Sequence, residues 1–501
     1  MSLKDNLGQR LLKLILDEKE TQIFEDAKDL ISLHSFAASA FNITKYLNKK
    51  GLCKHQKIAI YNDKSNIGYL LMLACNIMGI AYSNIDPKLP EDRKKKVLTA
   101  LEPSEIFDLF NDPCREEIKK IAKLDEKVSL PINDFKSLVD GVESDAICYI
   151  MFTSGSTGAP KGVAVSHESV GNFIDWTRKE FEIKLTSRLS GINQIYFDNS
   201  VFDFYCSIYN GACLVPVSSD TLVNTRETIL FLSEKKITHW FSVPSYLNYC
   251  ARMKSLTENR LDNLQHIIFG GEAYPKSLLK KVFKVYGHRA QFYNVYGPTE
   301  ATCMCSSYKV SSQDFLDPGE LCPLGKISND FDWLIGDMDS HGVGELILQG
   351  PQIANGYLND DRKTSQKFEL PSAENEILKK SYRTGDLVRL KENSCLIFVG
   401  RKDFQIKHMG YRIELEEIER QMLEYLKLFE ACVIYKKNNK DLNGRIIAFV
   451  VPESSNLDPN SLNRFLWSLP TYMRPDEVKL LKKLPKTRNG KIDRMHLIES
   501  I

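Results

Sequence analysis

The sequence predicts an α/β protein in two parts, a large N-terminal region of open sheets flanked by helices and a small α+β domain at the C-terminus. Three observations predict it. Strand-like and helix-like segments alternate for most of the length. Near Gly400 the alternation gives way to an amphipathic helix followed by two strands. And 501 residues exceed what one hydrophobic core ordinarily serves.

In chain order, Lys57-Ile-Ala-Ile-Tyr61 reads as a strand and Asn66 to Gly79 as the helix after it. The run Ile67 to Tyr82 is the most apolar in the chain. It is short for a membrane span, and Gly79 ends it as a buried helix ends. Ala146 to Phe152 reads as a strand buried on both faces. His239 to Val243, His266 to Phe269 and Gln291 to Val295 are further short apolar strands, each leading into a loop or helix. Gly344 to Gly350 and Ser394 to Val399 resemble antiparallel strands. Ile413 to Met422 reads as the amphipathic helix, with strands at Ala431 to Tyr435 and Arg445 to Val451 after it. These elements divide the chain into 1–400 and 401–501, with the junction at Gly400-Arg-Lys-Asp403.

Composition narrows the function classes. The chain is 43% hydrophobic and 26% charged, and 67 Lys+Arg against 65 Asp+Glu leave a net charge of +2. That balance gives no support to nucleic-acid binding. The first twenty residues mix charges among leucines and lack the apolar core of a signal peptide. The 12 cysteines are scattered without a CxxC pair, so they read as small apolar core residues of a reduced, cytoplasmic protein.

The sharpest local feature is Thr153-Ser-Gly-Ser-Thr-Gly-Ala-Pro-Lys-Gly162, directly after a buried strand. Thr153, Ser154, Gly155, Ser156, Thr157 and Gly158 make an exposed, donor-rich loop suited to phosphate oxygens, and Lys161 adds a cation. Gly162, where a Walker A loop has Ser or Thr, rules that motif out. Asn294-Val-Tyr-Gly-Pro-Thr-Glu300 holds an aromatic ring for a base, a hydroxyl for a phosphate and a carboxylate for magnesium. Tyr382-Arg-Thr-Gly-Asp386 places a carboxylate after a turn, suited to paired ribose hydroxyls. Gly400 to Lys407 and Asn489-Gly-Lys-Ile-Asp493 complete the series.

Together and in this order, from Tyr82-Ser-Asn-Ile-Asp-Pro87 to Lys491, these motifs resemble the adenylate-forming superfamily of acyl-CoA synthetases, luciferases and nonribosomal-peptide adenylation domains. The resemblance implies a large domain of stacked sheets and a small mobile C-terminal lid, with ATP and Mg2+ as cofactors. It implies that the Thr153 to Lys161 loop closes on the phosphates of ATP and that Gly271, Glu272 and Tyr296 line the adenine site. Asn294, Gly297, Thr299 and Arg401 fall in the same ATP-binding motifs. Asp386 would bind ribose, Glu300 magnesium, and Lys491 would bridge the substrate carboxylate and the α-phosphate as the catalytic cation. Asp403 would be the hinge about which the lid swings between two half-reactions, offering the Lys407 to Tyr411 loop in the second.

The run Phe197-Asp-Asn-Ser-Val-Phe-Asp203 resembles that of amino-acid-activating members, whose Asp, here Asp198, pairs with the substrate ammonium. Among those, the chain is similar to the D-alanine–D-alanyl carrier protein ligases. Carried over by motif, the substrate pocket is Asp198, Asn199, Phe202, Phe241, Ile268, Gly270, Val295, Cys303 and Met304, with Phe202, Phe241 and Met304 leaving room for a small side chain. Gly270 departs from the cysteine usual in that group, which leaves D- and L-alanine, serine, glycine or another small amino acid open. The expected activity is formation of an aminoacyl-AMP from a small amino acid. Transfer to the phosphopantetheine thiol of a separate carrier protein follows, because no carrier sequence comes after Lys491. The alternative is an acid–CoA ligase. Eight Lys/Arg against three Asp/Glu in Arg474 to Arg494 suggest a basic face for an acidic carrier. No nucleic acid or membrane insertion is expected, and relatives of this kind are often monomers.

Overall fold

The computed structural model describes residues 5–18, 20–124, 129–155, 160–317, 320–370, 379–391, 394–437, 444–453, 457–487 and 492–501. The chain forms two compact units. One comprises 1–87, 101–151 and 162–400, the other 88–100, 152–161 and 401–501.

Among the described residues the larger unit holds three sheets. The largest runs, edge to edge, Lys326–Ile327, Ser306–Val310, Gln291–Tyr296, His266–Gly270, His239–Ser242, Arg188–Gly191, Cys213–Pro216, Gln22–Glu25 and Leu30–Ser32. Its middle strands are parallel, in register His239 to His266 to Gln291. Such strands are buried on both faces, and His266–Gly270 is buried throughout. A second sheet orders Glu105–Asp108, Lys57–Tyr61, Ala81–Asn84, Ile147–Thr153 and Lys161–Ser166. The apolar run expected as core is the helix Asn66–Met78, whose side chains from Ile67 to Met78 are buried. Ser65 caps its first turn and Gly79, with φ 67°, ends it. No helix among the described residues is long and apolar enough to cross a membrane. A third sheet, Asp332–Gly336, Val343–Gln349, Ser381–Lys391 and Phe368–Glu369, is antiparallel, with Cys395–Arg401 beside Ser381–Lys391.

In the smaller unit, two corrections to the sequence reading have plain causes. The helix begins at Leu415, not Ile413, because Tyr411–Glu414 pairs with Gln405–His408 as a hairpin. Its turn residues Met409 and Gly410 both have positive φ, the conformation a two-residue hairpin loop requires. The expected strands are Leu428–Lys436 and Arg445–Pro452, joined by Glu477–Leu480 in one sheet. The basic bias of Arg474 to Arg494 is partly spent internally. Arg474 lies over the Trp467 ring, Lys486 pairs with Glu430, and Arg494 reaches Glu419. Arg494 Nη2 donates to Glu419 Oε2 at 2.8 Å and Nη1 to the Val433 carbonyl at 2.8 Å. Glu419 Oε1 also accepts the Val433 N–H at 2.6 Å.

That fork ties the C-terminal helix Arg494–Glu499 to the unit's central sheet, so its loss should cost more than a surface pair. Arg494→Ala leaves the mostly buried Glu419 without its cation and should destabilise the unit by about 3–5 kcal/mol. Chemical denaturation of the variant checks this, and Arg494→Lys should recover only part of the loss because it cannot form the fork.

Candidate active site

Four adjacent parallel strands of the large sheet, Arg188–Gly191, His239–Ser242, His266–Gly270 and Gln291–Tyr296, deliver most of the expected site residues at or just past their carboxyl ends. In open α/β sheets that is where ligands bind. Register explains why the pocket residues belong together. Phe241 pairs with Ile268 and Gly270 with Val295. Residues paired across strands, and those two apart along a strand, share a face. Phe241, Ile268, Gly270 and Val295 therefore line one face. Phe202, from the helix Asn199–Ile208, packs edge-on against Phe241 with ring centroids 5.2 Å apart. Cys303 and Met304 join the same apolar cluster.

They arrive on a strained turn. Thr302 and Cys303 have φ of 56° and 75°, sparsely populated for residues with a side chain. Thr302 Oγ1 donates to the Gln352 carbonyl at 2.6 Å, which holds the turn in place. A Cβ on Gly297 would lie 2.4 Å from Met304 Cα, so only glycine lets the turn approach. Gly270 is likewise dictated by packing, since a Cβ there would meet the Val295 carbonyl oxygen at 2.4 Å.

Asp198 stands at the start of the Asn199–Ile208 helix but does not cap it with its side chain. Its Oδ2 accepts the Thr299 hydroxyl at 2.6 Å. The Thr299 proton, expected to meet a phosphate, is thus given to Asp198. Burial and then the negative charge of Asp198 push the Cys303 thiol well above its ordinary range, which sets this carboxylate beside the pocket. Gly271 lies close by: a Cβ on it would sit 3.8 Å from Asn199 Nδ2 and 3.7 Å from Val243.

Two further carboxylates are deeply buried. Glu300, fully buried, accepts the Tyr357 hydroxyl at 2.8 Å. Asp386, 4% exposed, accepts the Tyr296 hydroxyl at 2.5 Å. Burial, and then Asp386, raises Tyr296 well above an ordinary phenol, so it stays protonated and donates. The expected turn before Asp386 is a bulge within the strand Ser381–Lys391. Arg383 pairs with Ile347 and Leu387 with Glu345, leaving Thr384, Gly385 and Asp386 opposite Leu346. The Gly385 N–H donates to Glu345 Oε1 at 3.1 Å and Thr384 Oγ1 to the Leu346 carbonyl at 2.7 Å. The bulge re-aims Asp386 toward Tyr296. Glu272 accepts the Ser245 N–H at 2.8 Å. Asn294 lies inside its strand, donates Nδ2 to the Pro323 carbonyl at 2.6 Å, and leaves a buried Oδ1 with no partner among the described residues.

In the smaller unit, the described ends of the Thr153 to Lys161 loop are buried or half-buried rather than exposed. Ser154 Oγ donates to the Arg412 carbonyl at 2.7 Å, the Gly155 N–H to Glu417 Oε2 at 3.3 Å, and Lys161 pairs with Glu414 at 3.3 Å. Thr153 Oγ1 is buried without a partner among the described residues. Arg401 is engaged with Asp403, Nε and Nη2 reaching its two oxygens at 2.8 and 2.7 Å. Ser156, Thr157, Gly158 and Lys491 lie outside the described residues. Sequence reasoning missed Tyr357, whose only signal is an aromatic after Gly356. It also passed over Asp203, which stood inside a quoted motif without a role.

Comparison with known proteins agrees with this geometry. The family model for AMP-binding enzymes matches residues 18–358, and that for the AMP-binding enzyme C-terminal domain matches 417–491. The chain is 31% identical to the D-alanine–D-alanyl carrier protein ligase of Lactococcus lactis subsp. lactis, over 98% of both chains. It is 29% identical to the ligase of the same name from Bacillus licheniformis, over 99% of both. Among solved structures, the Vibrio cholerae adenylation domain AlmE in complex with glycyl-adenosine-5'-phosphate superposes with a TM-score of 0.81 at 22% identity, covering 100% of this chain and 98% of that one. PA1221, a protein containing adenylation and PCP domains, gives 0.78 at 22%, covering 99% of this chain and 84% of that one. The chain belongs to the AMP-binding enzyme family.

Proposed function

We propose that this enzyme activates a small amino acid with ATP to an aminoacyl-AMP and passes the aminoacyl group to the thiol of a separate carrier protein. The observation that carries the amino-acid part is Asp198, a half-buried carboxylate not spent on its helix and held beside an aromatic, apolar pocket. A substrate ammonium offsets the desolvation of such a carboxylate, whereas an uncharged acid would leave it uncompensated. The curated relatives, named as D-alanine–D-alanyl carrier protein ligases, support both the amino acid and the carrier.

In this reading Phe202, Phe241 and Met304 limit the side chain to alanine-like size, in either hand. Asp386, with Tyr296, accepts ribose hydroxyls, and Gly271 and Glu272 border the adenine. The Thr153 hydroxyl, without a partner among the described residues, and the Lys161 cation, which pairs with Glu414, suit phosphate oxygens. Glu300 suits a magnesium ion that arrives with the nucleotide. No group of three or more His, Cys, Asp or Glu that could hold a metal occurs among the described residues. Bound there, the ion would supply positive charge to the phosphates. The attacking carboxylate needs no general base. It displaces pyrophosphate in line once a cation offsets its repulsion from the α-phosphate, the role assigned to Lys491. Asp403 is the proposed hinge between adenylation and transfer. Twelve free cysteines, nine of them buried, suit a reducing cytoplasm.

Amino-acid-dependent ATP–pyrophosphate exchange tests the proposal, with L- and D-amino acids against short fatty and aryl acids. One small amino acid should give a strong signal, and a signal with non-amino acids alone would replace it with an acid–CoA ligase. Asp198→Ala should lower exchange about 100-fold or more while leaving KM for ATP near the wild-type value. Lys491→Ala should cut adenylation about 100- to 1000-fold and spare transfer from preformed aminoacyl-AMP; equal loss of both steps would sink the two-step assignment.

A further inference from the structure

Three polar side chains outside the proposed contacts sit deep in the larger unit. Lys64, Asn193 and Asp203 are only 7%, 9% and 2% exposed. Lys64 comes from the loop before the Asn66–Met78 helix, with φ 61°, its N–H donating to Asn62 Oδ1 at 3.0 Å. Its ammonium donates to the carbonyls of Gly191 at 2.7 Å, Ile192 at 3.3 Å and Val217 at 2.9 Å. Three donors meet three acceptors. The carbonyls of Gly191 and Ile192 immediately precede Asn193, so the ammonium fixes the backbone from which that amide projects.

Asn193 joins two elements of the proposed pocket. Its Nδ2 donates to both oxygens of Asp203 at 3.1 Å and to the Phe241 carbonyl at 3.0 Å, and its N–H donates to Asp203 Oδ2 at 3.1 Å. Asp203 follows Phe202 on its helix, and the Phe202 and Phe241 rings meet edge-on. Burial pulls the Lys64 ammonium down and the Asp203 carboxyl up, and their mutual attraction opposes both shifts. A lysine strained into the left-handed region and a buried carboxylate are costly unless something needs them there.

We infer that Lys64, Asn193 and Asp203 are positioning residues for amino acid selection: they fix the spacing of Phe202 and Phe241 and so set the largest side chain the pocket admits. The inference rests on the amino-acid reading of Asp198. Discrimination by one methylene in an apolar pocket spans about 10- to 200-fold, so a small displacement of either ring is readable in the substrate profile.

The swap Asn193→Asp/Asp203→Asn tests it. A carboxylate and an amide still face each other, and the N–H of residue 193 still finds an acceptor. The bond to the Phe241 carbonyl is lost, and a carboxylate oxygen of residue 193 faces that carbonyl in its place. The swap should still unfold in one cooperative transition, at a midpoint lowered by the unmet Phe241 carbonyl. It should raise KM for the preferred amino acid about tenfold and leave KM for ATP unchanged. Preference over the amino acid one methylene larger should also fall about tenfold. Should the swap not fold, Asn193→Ser, which keeps the backbone N–H to Asp203 but no side-chain bridge to Phe241, is read the same way. For the lysine, Lys64→Met should relax the preference and Lys64→Arg, which keeps donors for the carbonyls, should restore it. A wild-type side-chain preference in a folded swap or in Asn193→Ser, or equal rises in both KM values, would overturn the inference while leaving the amino-acid activity standing. Wild-type enzyme without any amino-acid-dependent exchange would overturn both.

Discussion

The larger unit is organised around carboxylates that must be kept out of water without being wasted. Asp203, Glu300 and Asp386 are all but buried, and Asp198 is half-buried. An ionised carboxylate in an apolar interior costs several kcal/mol unless donors meet it, so each dictates its surroundings. Thr299 serves Asp198, Tyr357 serves Glu300, Tyr296 serves Asp386, and Asn193 serves Asp203. A hydroxyl or amide donor orients a carboxylate without cancelling its charge. The added cation, Lys64, acts on Asp203, to which no ligand is assigned.

The sheet makes this arrangement possible. Parallel neighbours end on the same side, so four consecutive strands of the sheet release their chains at one edge. Each release carries a different piece, the Asp198 helix, Phe241, Gly270 to Glu272, or Tyr296 to Glu300. The third sheet brings Asp386 to Tyr296 through a bulge rather than a loop, which explains how a carboxylate inside an antiparallel strand reaches a residue of the large sheet. Packing also limits chemistry here. Gly270 has no room for a side chain, because Val295 approaches it too closely. The absence of a side chain at 270 is therefore built into the backbone spacing.

Much of this was legible in the sequence. Periodicity located the strands it named to within three residues, and Ser65 and Gly79 marked the ends of the apolar helix by ordinary capping chemistry. The Thr153 to Lys161 run, Asp198 and the carboxylates at 300 and 386 stood in ordered motifs. What stayed hidden depends on distance along the chain. Tyr357 reaches Glu300 across 57 residues and Lys64 reaches Gly191 across 127. No local pattern encodes such a pair, since a lone tyrosine or lysine reads as surface or core. The bulge at Asp386 was read as a turn because Gly385 punctuates both.

These hidden partners bear on how selectivity arises. Nine positions make up the proposed pocket, yet Phe202 and Phe241 are common apolar residues whose effect depends on where they stand. Phe202 is also packed edge-on by Phe181 at 5.7 Å, so one side of the ring is already set by the core. What remains adjustable is the separation of the helix that carries Phe202 from the strand that carries Phe241. Asn193 spans that separation with one amide, bonded to a carboxylate on the first element and a carbonyl on the second. A rigid bridge between two backbones defines a limit more sharply than two rings packed by dispersion alone, because each hydrogen bond is directional and a buried donor left unmet is costly. Side-chain size in this pocket is thus governed one layer behind the surface that meets the substrate.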